Sequence, residues 1–86
     1  MGTPKSYFLY CWIVNGGFWF PVKIYQSKSY ARKVAESRGY LRYKIVTRTF
    51  GIADRFDIYC MCENEHGDQD INLGWYLLDS GVIPED

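Results

Sequence analysis

Two hydrophobic periods divide the chain. Between residues 27 and 39, Tyr30, Ala31, Val34 and Ala35 recur at helical spacing on one face, with Lys28, Arg32, Lys33 and Glu36 opposite. Ser27 has the short hydroxyl side chain that caps a helix N-terminus, and Gly39 stands where a helix closes through a left-handed residue. Tyr40 is placed to fold back on Ala35, so the pattern predicts a helix over 27–38. The period then changes to two. Leu41, Tyr43, Ile45 and Thr47 alternate with Arg42, Lys44, Val46 and Arg48, which predicts a strand over 41–48.

Ahead of this unit, Tyr7–Val14 is apolar and aromatic throughout and reads as a strand. Asn15-Gly16 predicts a type I′ hairpin turn into a second strand, Phe18–Tyr25, where Pro21 implies an edge position or a bulge. After it, residues 49–54 read as a connection and Phe56–Glu63 as a fourth strand. In that strand Phe56, Ile58, Cys60 and Cys62 face one way, and Asp57, Tyr59, Met61 and Glu63 the other. A pairing that sets Arg48 opposite Asp57 and Arg42 opposite Glu63 would match charges across strands three and four. Ile71–Ser80 reads as a second short helix, capped by Asp70 and ended by Gly81, while Gly74 leaves open a fifth strand over 74–79.

The expected fold is α+β in the order β-β-α-β-β-α, a four-stranded antiparallel sheet with its helices on one face, in one domain over 1–86. One sheet face would bury Leu9, Cys11, Ile13, Ile45, Ile58 and Cys60 beneath Val34 and the second helix. The other would carry Tyr10, Trp12, Arg42, Lys44, Arg48 and Tyr59 toward solvent.

Composition sharpens this picture in two ways. Aromatic residues make up 19% of only 86 positions, more than a core of this size needs, so some are expected to serve contacts. The formal net charge of zero also hides a division. Residues 23–53 carry eight Lys/Arg against Glu36 alone, and residues 54–86 carry nine acids against Arg55 alone. The halves either present a basic and an acidic face to different partners or neutralise one another internally. No apolar run reaches membrane-spanning length and no signal peptide precedes the first strand, so a cytoplasmic protein without membrane contact is expected. The first residues match the loose N-myristoylation pattern with Gly2 as acceptor, but are read as an ordinary terminus.

Candidate chemistry is sparse. Cys11, Cys60, Cys62 and His66 total a set that zinc accepts, but Cys60-x-Cys62 is poor ligand spacing and falls on the expected core face. The cysteines are read as apolar filler with free thiols, and no metal or other cofactor is expected. Glu63, Glu65, Asp68 and Asp70 lie in a polar loop without the spacing of a calcium loop. No nucleophile–base arrangement is visible, and a non-enzymatic role is expected.

What remains is surface. The basic set Lys28, Arg32, Lys33, Arg42, Lys44 and Arg48, the aromatic set Tyr10, Trp12, Trp19 and Tyr59, and the acidic set Glu63, Glu65, Asp68 and Asp70 are the candidate binding residues. Rings beside Lys and Arg on a sheet suit single-stranded nucleic acid. Zero net charge and the suitability of Tyr and Trp for protein interfaces favour a protein or nucleoprotein partner, with nucleic acid the alternative. The stretch KIYQSKSYARKVAESRGYLRYKIVTRT resembles the strand–helix–strand unit of small phage and mobile-element proteins, including several anti-CRISPR inhibitors. The likeness covers about residues 7–48 in layout, length and the Ser-capped, Ala-bearing helix. It implies a small inhibitor whose exposed charges bind a host defence complex, and it assigns no residue a role.

Overall fold

The computed structural model describes residues 4–84, so Gly2 of the myristoylation pattern lies outside the described residues. The elements are β1 (Lys5–Ile13), β2 (Phe18–Tyr25), α1 (Lys28–Ser37), β3 (Arg42–Thr49), β4 (Ile52–Met61), a 3₁₀ turn (Ile71–Leu73) and β5 (Trp75–Val82). All neighbouring strands run antiparallel in one sheet ordered β2-β1-β3-β4-β5. The class is α+β as expected, with five strands in place of four.

The helix forms and stops as its sequence dictates. The Ser27 side chain accepts from the Tyr30 N–H. Gly39 takes φ 72°, its N–H bonds to the Glu36 carbonyl and the Tyr40 N–H to that of Ala35, which is the paired closure of a Schellman motif. Ala31 and Ala35 are completely buried, so the helix backbone lies close on β1, β2 and β3. Beneath it sit Leu9, Tyr25, Tyr43, Ile45 and Tyr59, with Val34 and Trp75 at the margin.

Three expectations are corrected. Ile13 pairs with Phe18, leaving a four-residue loop in which the Gly17 N–H bonds to the Ile13 carbonyl. The positive φ falls on Gly17, not on Asn15 or Gly16, so the turn is not type I′. Next, β3 and β4 join through Phe50-Gly51 alone, Thr49 pairing with Ile52 and Gly51 taking φ 78°. Arg42 therefore stands opposite Cys60 rather than Glu63, and Asp57 opposite Ile45 rather than Arg48. The offset is odd, which turns every β4 side chain to the other face. Tyr59 goes under α1, stacked on Tyr43 at 5.0 Å, while Ile58 and Cys60 lie on the far side with Lys44 and Arg42.

The second helix is the third correction. Asp70 does cap a turn, its carboxylate accepting from the Asn72 N–H, but the turn lasts three residues. Gly74 then adopts φ 78° and ψ −156°, a conformation open essentially to glycine alone, and the chain leaves as β5. The strand alternative at 74–79 is the element present, and it extends to Val82. Because α1 packs on β1, β2 and β3 and reaches β4 at Asp57 and Tyr59, most of β5 on that side and all of the other face lack a covering element among the described residues.

Candidate functional site

The sheet face away from α1, here the open face, is built in cross-strand rows. Tyr10 pairs with Pro21 on one side and with Lys44 on the other, and Lys44 with Ile58, which faces Asp79. One row toward the β3–β4 turn come Ile24, Phe8, Val46 and Phe56. One row the other way, Trp12 meets Trp19 edge to face at 5.0 Å. Since β3 is the central strand, Arg42, Lys44 and Arg48 run down the middle of this face with the rings of β1 alongside. Phe8 was absent from the expected aromatic set, although it shares the alternation that put Tyr10 and Trp12 there.

Two of these cations, Lys44 and Arg48, are engaged within the fold. The Lys44 ammonium lies 4.9 Å from the centre of the Tyr10 ring and 4.8 Å from that of Trp19, and burial lowers its pKa. Arg48 stacks on Phe8 at 5.0 Å while its Nη2 and Nε donate to Asp54 at 2.9 and 3.2 Å. On the helix side, Lys28 donates to Asp57 at 2.6 Å. Burial weighs against the Lys28 ammonium, but the bond to Asp57 and the nearby Tyr59 outweigh it and raise the pKa. Arg32 donates to the Tyr43 hydroxyl and to Glu36, and covers the Tyr59 ring at 4.3 Å. Of the six expected basic residues, four are thus engaged within the fold. Arg42, half-buried, and Lys33, exposed on the outer helix face, take part in no ion pair among the described residues.

Two readings of the charge division therefore meet. The basic half does neutralise against the acidic half, through Lys28–Asp57 and Arg48–Asp54, but by other pairs than the expected Arg48–Asp57 and Arg42–Glu63. The aromatic candidates separate as well. Tyr10, Trp12 and Trp19 share the open face, whereas Tyr59 is buried at 7% exposure under Arg32.

The acidic candidates stay together on the loop before β5. The Asn64 side-chain oxygen accepts from the His66 and Asp68 N–H groups and holds the loop closed, Glu63 bridges to Gln69, and Glu65 and Asp68 point to solvent. Asp70 is occupied in capping. Among the described residues no group of three or more His, Cys, Asp and Glu is placed to hold a metal. Cys11 lies on the helix side and Cys60 on the open face, where it accepts from Gln69, so the sheet itself separates them. The His66 ring lies on the exposed loop, its Nε2 3.6 Å from the Glu65 carboxylate. No helix among the described residues is long and apolar enough to cross a membrane. No protein-family model matches the chain, and the searches of curated proteins and of solved structures each return no significant match.

Proposed function

We propose that this protein is a non-enzymatic binding module that engages another protein through the open face of its sheet. The observation that carries the reading is the pairing of rings and cations on an uncovered face. Tyr10, Trp12, Trp19 and Phe8 line an aromatic surface on which the Lys44 and Arg48 charges are held against rings or a carboxylate. A surface of that kind attracts phosphates weakly and suits the aromatic anchors of a protein interface. The resemblance of the strand–helix–strand unit to small phage inhibitors agrees with it, and a host defence complex is the partner class that resemblance suggests. The line of Arg42, Lys44 and Arg48 beside stacked rings supports direct nucleic-acid binding as the second reading.

One experiment separates the two. Tagged protein is used to capture partners from host lysate, beside titration with single-stranded DNA and RNA at several salt concentrations. Capture of one protein, lost in Trp12→Ala and Lys44→Glu and kept in Lys33→Glu, is the expected result. Nucleic-acid binding that weakens steeply with salt and disappears in Arg42→Glu would replace the first reading with the second.

A further inference from the structure

On the side of the sheet that carries α1, there is room for a second helix. Neighbouring strands lie about 4.8 Å apart and a helix is about 10 Å across, so one helix covers about two strands. α1 packs on β1, β2 and β3 and reaches β4 at Asp57 and Tyr59, through Lys28 and Arg32. Beyond it the stacked rings of Tyr43 and Tyr59 continue into Leu77, which pairs with Tyr59 and is 52% exposed. Trp75 and Val82 share that side of β5, opposite Met61 and Arg55, with Ser80 between. The Trp75 Nε1–H donates to the Tyr40 carbonyl at 2.7 Å, and Ile71 closes the same end beside Gly39. The result is a trough with a largely apolar floor along β5 and α1 as its one wall.

The charges around the trough are not balanced. Its acids are engaged, Asp57 by Lys28 at 2.6 Å and Glu36 by Arg32 and the Tyr43 hydroxyl. Asp70, at the Ile71 end, caps the 3₁₀ turn, and Asp79 lies on the open face beside Ile58. Lys33 on the outer face of α1 and Arg55 at the Val82 end are exposed and take part in no ion pair among the described residues. We infer that an amphipathic helix of a partner protein lies in this trough alongside α1. Its apolar stripe rests on Trp75, Leu77 and Val82, and glutamates or aspartates along its flanks meet Lys33 and Arg55. A second copy does not supply that helix. Its α1 has Ala31 and Ala35 buried against its own sheet, and the outer face it has left would set Ser29, Lys33 and Ser37 on an apolar floor. The trough lies across the sheet from the open face, so either surface fails or succeeds without the other.

The test follows amide NMR spectra during titration with an alanine-based helical peptide of about fifteen residues. It carries leucines at helical spacing with glutamates beside them, and a counterpart has lysine in place of glutamate. The glutamate peptide should shift the amides of Leu77, Ser80 and Arg32 and leave those of Trp12 and Trp19 unmoved, and the lysine peptide should bind more weakly. Lys33→Glu and Arg55→Glu should each weaken the glutamate peptide by about two- to fivefold and improve the lysine one, the range expected for an exposed charge pair. Leu77→Gln should weaken both by about fivefold, because about half of that leucine remains to be buried. All three positions are exposed, and circular dichroism checks that each variant is folded. Absence of any shift with either peptide, equal response to both, full binding in Leu77→Gln, shifts centred on Trp12 and Trp19, or sedimentation as a dimer with the Leu77 amide already protected would each overturn the proposal.

Discussion

The Tyr43 hydroxyl donates to the Glu36 carboxylate at 2.5 Å, from the floor of the sheet to the wall of the helix. Tyr43 is completely buried, and Arg32 donates to the same hydroxyl at 3.2 Å while bonding Glu36. One phenol thus ties the central strand to the helix through two charged side chains. Tyr43→Phe keeps the ring and removes the tie, leaving Glu36 with Arg32 alone. The expected cost is about 1 kcal/mol, read from urea denaturation. No change would show that Glu36 finds equal hydration without Tyr43.

The same group sets an alkaline limit. Burial, and then the Glu36 carboxylate, raise the Tyr43 pKa above the ordinary 10.0, against the opposing pull of Arg32. Below pH 10 the hydroxyl is protonated in both states and its contribution is whole. Above that, the unfolded chain loses a proton that the folded chain keeps, so unfolding releases protons and stability falls as pH rises. Lys28, also raised from 10.5, acts with the same sign. Melting temperatures from about pH 8 to about pH 11, roughly two units below to one unit above the ordinary tyrosine value, should fall at the alkaline end, and less steeply in Tyr43→Phe. Parallel curves would remove Tyr43 as the cause.

Close helix–sheet contact depends on two methyl groups. Ala31 and Ala35 are fully buried, so Ala35→Leu forces side-chain volume into a filled seam at a cost of about 1–3 kcal/mol. Lys33→Ala on the exposed face should stay within about 0.5 kcal/mol. Equal thermal melts for the two would contradict the packing described.

At Gly39 the cost is conformational. A Cβ there meets only the Ile71 Cδ1, at 3.8 Å, which is ordinary contact. Gly39→Ala should therefore lose about 1 kcal/mol through its φ of 72° alone. A loss several times larger, measured by denaturant melt, would mean that the closing turn has rearranged.

Lys44 sits between opposing effects, because the rings of Tyr10 and Trp19 favour its charge and burial disfavours it. Lys44→Met keeps the stem and drops both. Its stability should lie within about 0.5 kcal/mol of the parent, since ring–cation contacts of this exposure contribute about that much. A larger loss would make the charge a structural requirement of the open face.

The elements most legible in the sequence were those whose signals are local. Ser27, Gly39 and Tyr40 mark the two ends of α1 within one turn of the residues they bond, and the alternation from Arg42 to Arg48 faces as expected. Strand pairing was less legible, because nothing in 49–54 distinguishes a two-residue turn at Phe50-Gly51 from a longer connection, and an odd difference in register exchanges Tyr59 for Ile58. Ile71–Ser80 carries apolar residues at positions that suit either period, and Gly74 decides between them only through its backbone angles. Of the candidate surface, the rings of β1 and the i,i+4 pair Arg32–Glu36 could be read directly, but the pairing of Lys28 with Asp57 and of Arg48 with Asp54 depends on strand register.

β1 and β3 lie side by side although β2 and α1 come between them in the chain. Every other strand pair joins neighbours in sequence, so the molecule consists of a hairpin and a three-stranded meander fused along a single seam from Lys5–Thr49 to Cys11–Tyr43. Loop closure makes that seam the slowest contact to gain, and the hairpin and meander can each form beforehand at little entropic cost. The topology therefore predicts that hairpin and meander dock along this seam late in folding, with α1 as the tether that sets their effective concentration.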